Sequence, residues 1–291
     1  MKKSIQFIIN PISGVGKKNI LPRLIENYLD HSIFNYNIVF TQNRGHATTL
    51  AKQAVEDNID IVCAVGGDGS VNEVGIALIN TNTTLAILPT GSGNGLARHL
   101  NFSLKLKNAI KNLNIGMITT IDTVSIENHF FLGVAGFGFD AIVAERFDKF
   151  HSRGFLSYAR LVISEFRKYK GISVRINNEE YLHNLLFCTF ANGSQFGNGF
   201  VVSPQSNLKD GQFEIVCIKN PSFIGFINLL FRSYFGSIDR SSYFTSKVVK
   251  SAVVETKEKY AHIDGEPILL NKDVVSLNCN PKCLKILVTK N

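Results

Sequence analysis

Four short loops, rich in glycine or polar residues, carry the residue types best suited to chemistry in this sequence. They read NPISG (10–14), TQNRGH (41–46), GGDGS (66–70) and PTGSGNG (89–95). A glycine-rich turn before a helix exposes backbone N–H groups at the positive end of the helix dipole, an arrangement that binds phosphate well. Four such loops together indicate a nucleotide-binding surface.

Asp68 places a carboxylate among the glycines of the third loop. It would repel phosphate unless it held a cation or a water, and Mg²⁺ is the usual cation in such sites. Ser70 and Glu73 have capping-box spacing, which predicts that they cap the following helix. Neither the third nor the fourth loop fits the motif G-x-x-x-x-G-K-[ST]. Neither gives a full G-x-G-x-x-G motif followed by an acidic residue. A P-loop NTPase and an NAD dehydrogenase are therefore disfavoured.

In the fourth loop, glycine lets the backbone approach a ligand closely, and Thr90, Ser92 and Asn94 offer side-chain hydrogen bonds. Histidines lie nearby, but His46, His99 and His262 are better interpreted as loop or cap hydrogen-bonders than as catalysts.

Strands and helices alternate over residues 1–120. Helical spacing of Leu21, Leu24, Ile25 and Leu29 predicts one helix and residues 46–57 a second. The predicted strands are 4–9, 37–40, 59–65 and 84–88. Apolar strands separated by helices predict an α/β domain with a mostly parallel sheet. Ligands bind at the carboxyl ends of such strands, where all four loops lie.

Residues 121–291 have a different pattern. Short apolar runs separated by turn signals, from IDTVSI (121–126) to CLKILVT (283–289), predict a mostly antiparallel β-sandwich. Helical stretches interrupt the runs near 140–169 and 221–236. We expect the last strand or tail to pack back on the N-terminal domain.

Composition places the chain among globular proteins, with 291 residues, 45% hydrophobic and 19% charged. The longest apolar run, 223–231, is half the length of a membrane span. The N-terminal apolar run is too short for a signal peptide, so a cytoplasmic location is expected. Three of the five cysteines, Cys63, Cys188 and Cys217, lie in apolar runs and are expected to be buried thiols. No metal site is expected at Cys279 and Cys283.

The net charge is +8, and part of it lies in residues 145–170, where seven Lys/Arg and three Asp/Glu alternate with aromatic residues. This basic–aromatic stretch is either a solvated helix face or a surface that approaches anionic lipid. No signature of a nucleic-acid-binding module occurs, so no nucleic acid is expected as a partner.

An ordered set of motifs resembles the diacylglycerol kinase catalytic-domain superfamily, which includes bacterial soluble diacylglycerol kinases, related lipid kinases and sphingosine kinases. GGDG alone also occurs in NAD kinases and phosphofructokinases. The motifs span nearly the whole chain: NPISG (10–14), Thr41 with GHA (45–47), GGDGSVNEV (66–74), PTGSGNGLA (89–97), FGFDA (137–141), KDG (209–211) and IDGE (263–266).

The resemblance implies transfer of phosphate from ATP to a lipid hydroxyl, with Mg²⁺, in a cleft between an NAD-kinase/phosphofructokinase-like N-terminal domain and a lipid-substrate β domain. Glu266 matches the proton acceptor, and Asp68 would lie at the phosphates and their Mg²⁺. Asp264 is a further candidate base, although Asp-Gly is also a common hairpin turn. The residues expected to hold ATP are Asn10, Pro11, Ile12, Ser13, Gly14, Thr41, Gly66, Gly67, Asp68, Gly69, Ser70, Val71, Asn72, Thr90, Gly91, Ser92 and Asn94.

The resemblance also implies metal ligands outside the glycine loops. Asp210 matches a ligand of a structural Mg²⁺, with the Asn207 and Gln212 carbonyls as expected co-ligands. Asp122 matches a carboxylate in the Mg²⁺–water network. One position departs from the pattern: Gly95 stands where bacterial diacylglycerol kinases usually carry aspartate, and GSGNG is closer to the sphingosine-kinase form. The lipid therefore stays open between diacylglycerol, a sphingoid base and related lipids.

Two other functions remain open from the sequence. One is a soluble small-molecule kinase of NAD-kinase type; the other is a non-catalytic protein that binds nucleotide and lipid. For a lipid kinase we expect peripheral membrane association and an apolar pocket in the β domain, and exposed strand edges could pair two copies into a homodimer. The phenylalanines available for the pocket, each of which could equally be plain core, are Phe130, Phe131, Phe137, Phe139, Phe187 and Phe190.

Overall fold

A computed structural model of the chain describes residues 2–11, 20–148 and 155–289. The chain divides into two compact units, Met1–Asp122 with Pro281–Asn291 and Thr123–Asn280. It passes from one unit to the other within two strands, Met117–Ile126 and Val274–Val288.

The first unit is built on parallel strands that alternate with helices. Its sheet has the order β2-β1-β3-β4, all parallel, and the last strand of the chain joins β4 in parallel where Ile286 pairs with Leu85. The elements are β1 (Lys3–Ile9), α1 (Leu21–Tyr28), β2 (Phe34–Phe40), α2 (His46–Glu56), β3 (Ile61–Gly66), α3 (Asp68–Leu78), β4 (Thr84–Pro89), α4 (Gly95–His99) and α5 (Leu106–Ile115).

Burial explains why these segments form a layered α/β unit. Every residue of β3 and β4 is buried, as expected for strands covered on both faces. Helix α5 was missed from the sequence, although its buried residues Leu106, Ala109, Ile110 and Leu113 have ordinary helical spacing. Strand β2 begins at Phe34, three residues before the predicted start, because Phe34 is itself buried in the core.

The second unit is dominated by antiparallel strands. Strands β16-β15-β7-β9-β8-β14-β17 pair antiparallel in that order, and β12 pairs antiparallel with β9 and β13. The elements are β5 (Met117–Ile126), β6 (His129–Phe131), β7 (Val134–Gly138), α6 (Phe139–Asp148), α7 (Phe155–Phe166), β8 (Ile172–Ile176), β9 (Leu182–Ala191), β10 (Gln195–Gly197), β11 (Phe200–Val201), β12 (Phe213–Lys219), α8 (Phe223–Tyr234), β13 (Phe244–Val249), β14 (Ser251–Thr256), β15 (Tyr260–Ile263), β16 (Glu266–Leu269) and β17 (Val274–Val288).

Two apolar cores lie on opposite faces of the β7–β9–β12 sheet, because successive strand residues point to opposite sides. Phe131, Phe137 and Phe190 are fully buried in one core. Phe139 and Phe187 are buried in the other, with residues of α6, α7 and α8. Five of the six candidate pocket phenylalanines are therefore core residues.

The helical stretch predicted near 140–169 is two helices, α6 and α7. Residues 149–154 of the basic–aromatic stretch lie outside the described residues. Among the described helices, none is long and apolar enough to cross a membrane. Cys63, Cys188 and Cys217 are buried thiols, as predicted, and burial raises the pKa of Cys63.

Candidate active site

The third loop does not cap its helix as the sequence predicted. Helix α3 begins at Asp68, with Gly67 as its N-cap and no side-chain cap hydrogen bond. Ser70 therefore lies inside the first turn, and its Oγ accepts a hydrogen bond from Asn10 Nδ2 at 3.1 Å. The predicted Ser70–Glu73 capping box is wrong.

Glu73 instead caps the neighbouring helix α2. Its two carboxylate oxygens accept hydrogen bonds from Gly45 N at 2.9 Å and from Ala47 N at 3.2 Å. Gly45, the N-cap of α2, has φ +81°, a conformation that glycine adopts readily. Glu73 thus fixes the TQNRGH loop to α3.

The third and fourth loops touch through their backbones. Thr90 N and Gly91 N donate hydrogen bonds to Gly66 O at 2.9 and 3.2 Å. A Cβ atom added to Gly91 would lie 2.4 Å from Gly67 Cα, closer than real contacts allow. Glycine is needed here because two main chains approach each other, and this leaves backbone rather than side chains at the surface of the loops.

Asp68 fastens the two loops together. Its Oδ1 accepts a hydrogen bond from Gly95 N at 2.6 Å. Gly95, which departs from the family pattern, therefore presents a backbone N–H to Asp68. Asn94 precedes it with φ +54° and donates from Nδ2 to Gly91 O at 2.7 Å.

The loops fit a nucleotide. Asn94 Oδ1 is buried and accepts no hydrogen bond from the described residues, so a ligand hydroxyl or amino group would satisfy it. The first-turn N–H groups of the eleven-residue helix α3 lack intrahelical acceptors and are suited to phosphate oxygens.

The structure brings the strand-end residues to one edge of the sheet. Asn10 N donates to Val65 O at 3.1 Å, and Thr41 N donates to Ile9 O at 2.9 Å. Gly66 pairs with Pro89 at the ends of β3 and β4. Of the other residues predicted to hold ATP, Pro11 lies in a turn, and Ile12, Ser13 and Gly14 are outside the described residues.

The remaining ATP residues divide by exposure. Gly69, Ser70, Val71 and Asn72 form the first turns of α3, where the Val71 side chain is buried in the core. Only the backbone of Val71 is therefore available to a ligand. Ser92 is exposed at the tip of the fourth loop.

Asp122 is fully buried, and its Oδ1 accepts a hydrogen bond from Lys282 N at 2.7 Å. Within residues 2–11, 20–148 and 155–289, no group of three or more His, Cys, Asp or Glu side chains could hold a metal ion. An Mg²⁺ at the nucleotide would therefore take most of its ligands from phosphates and water, as Mg²⁺ commonly does.

In the second unit, Asp264 and Gly265 form the hairpin turn between β15 and β16, with φ +47° and +84°. Positive φ at both central residues is typical of a type I′ turn. Asp264 Oδ1 accepts hydrogen bonds from Gly133 N and Val134 N at 2.8 and 2.9 Å, and Oδ2 accepts one from Leu132 N at 2.9 Å. Its carboxylate anchors the hairpin to the start of β7.

Glu266 is the first residue of β16 and pairs with Ile263 across the hairpin. It is half-buried. The anchored turn fixes the backbone from which its carboxylate projects, so Asp264 positions Glu266.

Asp210 and its predicted co-ligands line one depression of the second unit, together with Ser206 and Glu214. Asp210 Oδ1 accepts a hydrogen bond from Gln212 N at 3.0 Å, and Asn207 Oδ1 accepts one from Lys209 N at 3.1 Å. Asp210, Glu214, Asn207 and Gln212 all carry side-chain oxygen atoms, the ligand type that a hard cation such as Mg²⁺ prefers.

A buried polar cluster was missed from the sequence, and the interpretation of His262 as a loop or cap hydrogen-bonder is wrong, because His262 is buried within strand β15. Asp140 Oδ2 lies 2.7 Å from Thr189 Oγ1, which donates to it, and 3.2 Å from His262 Nε2. Gly136 pairs with both Thr189 and His262 in adjacent strands, and a Cβ on Gly136 would lie 2.6 Å from Asp140 Oδ2. Burial and the Asp140 charge raise the pKa of Tyr169 nearby.

FGFDA (137–141) was the available signal for this cluster, but only strand pairing shows which residues face Asp140. The cluster places a carboxylate and an imidazole inside an apolar core, where the loss of a hydrogen-bonding partner is strongly destabilising.

Two family models match the chain in sequence. The diacylglycerol kinase catalytic domain matches residues 4–126, and the YegS C-terminal NAD kinase beta sandwich-like domain matches residues 133–288. A diacylglycerol kinase of Staphylococcus saprophyticus is 27% identical over 275 residues, covering 91% of this chain and 90% of that protein.

Solved structures share the fold. A diacylglycerol kinase from Bacillus anthracis aligns over 99% of this chain and 97% of that one, with a TM-score of 0.74 and 17% identity. An NAD kinase from Archaeoglobus fulgidus in complex with ATP aligns over 98% of this chain and 94% of that one, with a TM-score of 0.51 and 13% identity. The predicted fold class, a parallel α/β domain and an antiparallel β-sandwich, is confirmed. With both family models matched in the predicted order, the chain belongs to the diacylglycerol kinase catalytic-domain superfamily and is a phosphotransferase of the lipid-kinase type.

Proposed function

We propose that the protein transfers the γ-phosphate of ATP, with Mg²⁺, to a hydroxyl group of a lipid such as diacylglycerol or a sphingoid base. The observation that carries this proposal is the pair of glycine loops joined by Asp68 and Gly95. They place the main chain of the two loops, the N-terminus of α3 and the Asp68 carboxylate at one edge of the sheet. Bound there, Mg²⁺–ATP supplies the phosphoryl group and neutralises charge on the phosphates.

The first unit binds the nucleotide in this proposal. The amides of Gly67–Ser70 receive phosphate oxygens, while Asn10 and Thr41 line the same edge. Asp68 takes part through Mg²⁺ or its water shell, because a bare carboxylate would repel phosphate. Asn94 Oδ1 accepts a hydrogen bond from the nucleotide, which satisfies this buried oxygen.

Glu266 is the proposed general base. Its carboxylate accepts the proton of the lipid hydroxyl as that oxygen bonds to the γ-phosphorus, while the bond from the γ-phosphorus to the bridging oxygen breaks and ADP leaves. Asp264 is not assigned this role, since three backbone N–H groups already engage its two oxygens. It acts as a positioning residue that holds the hairpin in place.

A second Mg²⁺ is proposed at Asp210, with Asn207, Gln212 and Glu214 as neighbours. The arrangement is an oxygen-lined turn remote in sequence from the glycine loops. This ion would stabilise the second unit and take no part in the transfer.

Gly95 in place of aspartate favours a lipid other than diacylglycerol, because one carboxylate of the usual network is missing. The runner-up is a small-molecule kinase of NAD-kinase type, and the shared fold with the Archaeoglobus NAD kinase supports it. A lipid acceptor would require the protein to associate peripherally with a membrane, whereas an NAD-type acceptor would not.

The test is transfer of radiolabelled phosphate from ATP into mixed micelles that contain diacylglycerol, a sphingoid base, ceramide or phosphatidylglycerol. We expect label in one lipid, dependence on Mg²⁺ that a chelator abolishes, and a loss in kcat of about 10²–10⁴ in Glu266→Gln. Glu179→Gln, which removes an exposed carboxylate of the same unit, is the matched control and should act as wild type. Label in NAD alone, or in no acceptor, would overturn the proposal.

A further inference from the structure

Helix α8 is apolar on both of its faces. Phe226 and Leu229 point inward and are buried in the second unit's core. The opposite face is exposed: Ile224 is 81% exposed and Phe231 66%, and Phe235, just beyond the helix, is 64% exposed. A helix that is apolar all round is normally covered on all sides.

The exposed residues form one continuous stripe, which we name the α8 face. Ile224, Ile227 and Phe231 are spaced by three and four residues and therefore lie on successive turns of a helix about 18 Å long. Ring centroids of Phe231 and Phe235 lie 4.8 Å apart, those of Tyr234 and Phe235 5.4 Å, and Phe200 packs on Tyr234 at 5.9 Å. The α8 face comprises Phe223, Ile224, Ile227, Phe231, Tyr234 and Phe235, each at least 41% exposed.

Two arginine side chains lie next to this face. Residues 219–250 contain five Lys/Arg, and Asp239 is the single acidic residue among them. Arg232 lies on the helix itself, where its Nε donates to Asn228 Oδ1 at 2.9 Å. At the other end, the Arg167 guanidinium lies 5.4 Å from the centre of the Phe223 ring. Arg167 also belongs to the basic–aromatic stretch, which therefore reaches the same surface.

Charge complementarity selects the occupant. Isoleucine and phenylalanine on one helical face, bordered by arginine, are typical of helices that lie in the interface of an anionic bilayer. Twelve residues are too few to span a bilayer, so such a helix lies in the membrane plane. We propose that the α8 face docks the protein on an anionic lipid surface. This proposal rests on the proposed lipid-kinase function, since the acceptor must be reached in a bilayer.

The absence of tryptophan from the chain allows a direct test. Ile224→Trp places a single indole on the α8 face, and Ile115→Trp places one on α5 of the other unit, where Ile115 is 60% exposed. With vesicles of equal parts phosphatidylglycerol and phosphatidylcholine, we expect the emission of Ile224→Trp to shift to the blue. Brominated acyl chains should quench it. Emission from Ile115→Trp should change little.

Vesicle co-sedimentation measures the contribution of the face. Ile224→Gln/Phe231→Gln/Phe235→Gln should weaken binding by at least about tenfold, because three apolar side chains lose their burial in the interface. The matched control is Ile115→Gln/Met117→Gln/Ile118→Gln, a change of three comparably exposed residues elsewhere, which should bind as wild type.

The two arginines test the electrostatic part. Arg232→Gln and Arg167→Gln should each weaken binding about fivefold, and vesicles of phosphatidylcholine alone should bind less than anionic ones.

Several results would overturn the docking proposal. They are no vesicle binding by the wild type, full binding by the α8 triple variant, or no spectral change in Ile224→Trp. A dimer in sedimentation velocity that the α8 triple variant converts to a monomer would assign the face to a second copy instead. Phosphate transfer in detergent micelles separates the two proposals. Phosphate transfer without vesicle binding through α8 would support the kinase function and contradict the docking surface. Vesicle binding that depends on α8, without any lipid phosphorylation, would support the docking surface and contradict the kinase function.

Discussion

An Asp-Gly dipeptide occurs at a candidate site in each unit, but the glycines at the two sites are required for different physical reasons. Near Asp68–Gly69, Gly67 and Gly91 are required by space, because a Cβ on Gly91 would strike the backbone of Gly67. At Asp264–Gly265, no atom of the described residues, the two chain neighbours apart, lies within 4 Å of a Cβ added to Gly265, whose φ of +84° is the constraint. Glycines needed for space mark a surface where main chain is presented; glycines needed for φ mark a turn.

The aspartates differ in the same way. Both carboxylate oxygens of Asp264 accept hydrogen bonds, from three backbone N–H groups of its own unit. Asp68 receives Gly95 N on Oδ1 at the edge where the strands end. The first is therefore expected to govern stability and the second to govern ligand binding.

Gly91→Ala should give the largest effect. The new Cβ must push the third and fourth loops apart, so we expect ATP affinity to fall at least about tenfold, beyond a loss of stability of about 1–3 kcal/mol. Isothermal titration calorimetry with Mg²⁺–ATP measures it. Wild-type affinity in a folded Gly91→Ala protein would break the spatial explanation.

Asp264→Asn should lower the free energy of unfolding by about 2 kcal/mol, because the amide cannot accept all three backbone hydrogen bonds. Urea denaturation followed by circular dichroism measures the change. Asp273→Asn, which removes an exposed partner of Lys259, is the control and should cost under about 1 kcal/mol. Equal effects in the two variants would contradict the anchoring role.

A third Asp-Gly pair, Asp210–Gly211, lies in the second unit. Its Gly211 has φ +73°, and its Asp210 lines the oxygen-rich depression. We expect saturating Mg²⁺, without nucleotide, to raise the free energy of unfolding of the wild type by about 1–3 kcal/mol. The increase would be seen as a higher urea midpoint. Asp210→Asn should abolish that increase, whereas Asp57→Asn, at an exposed site, should keep it. A persistent increase in Asp210→Asn would place the ion elsewhere.

Gly265→Ala should have the smallest effect. The positive φ costs alanine about 1 kcal/mol, but no neighbouring atom is displaced. We expect a slightly lower urea midpoint with unchanged ATP affinity. A large loss of ATP affinity would show that the turn does more than support Glu266.

Much of the fold could be predicted from the sequence, because apolar periodicity is a local signal. The parallel strands of the first unit and the change to antiparallel pairing were both readable. Helix α5 was missed although its spacing was regular, and α6 and α7 were merged because a helical pattern does not show a break between helices.

The candidate site was only partly readable. The glycine loops and Glu266 were visible as motifs. The roles of Glu73 and Asp264 depend on backbone N–H groups 26–28 and 130–132 residues away, which no local pattern records. The Asp140–Thr189–His262 cluster required the register of three strands. Long-range pairing, rather than residue type, decided these cases.

The role of Asp68 at the nucleotide is tested most directly by comparing ATP binding in Asp68→Asn and Asp264→Asn, with and without Mg²⁺. In Asp68→Asn, the oxygen of the new amide could still accept the Gly95 hydrogen bond, so this variant removes charge with little change of shape. We expect Asp68→Asn to lose the Mg²⁺-dependent part of ATP affinity at near wild-type stability, whereas Asp264→Asn should keep it at reduced stability. Unchanged Mg²⁺-dependent binding in Asp68→Asn would contradict the assignment of Asp68 to the nucleotide and its metal.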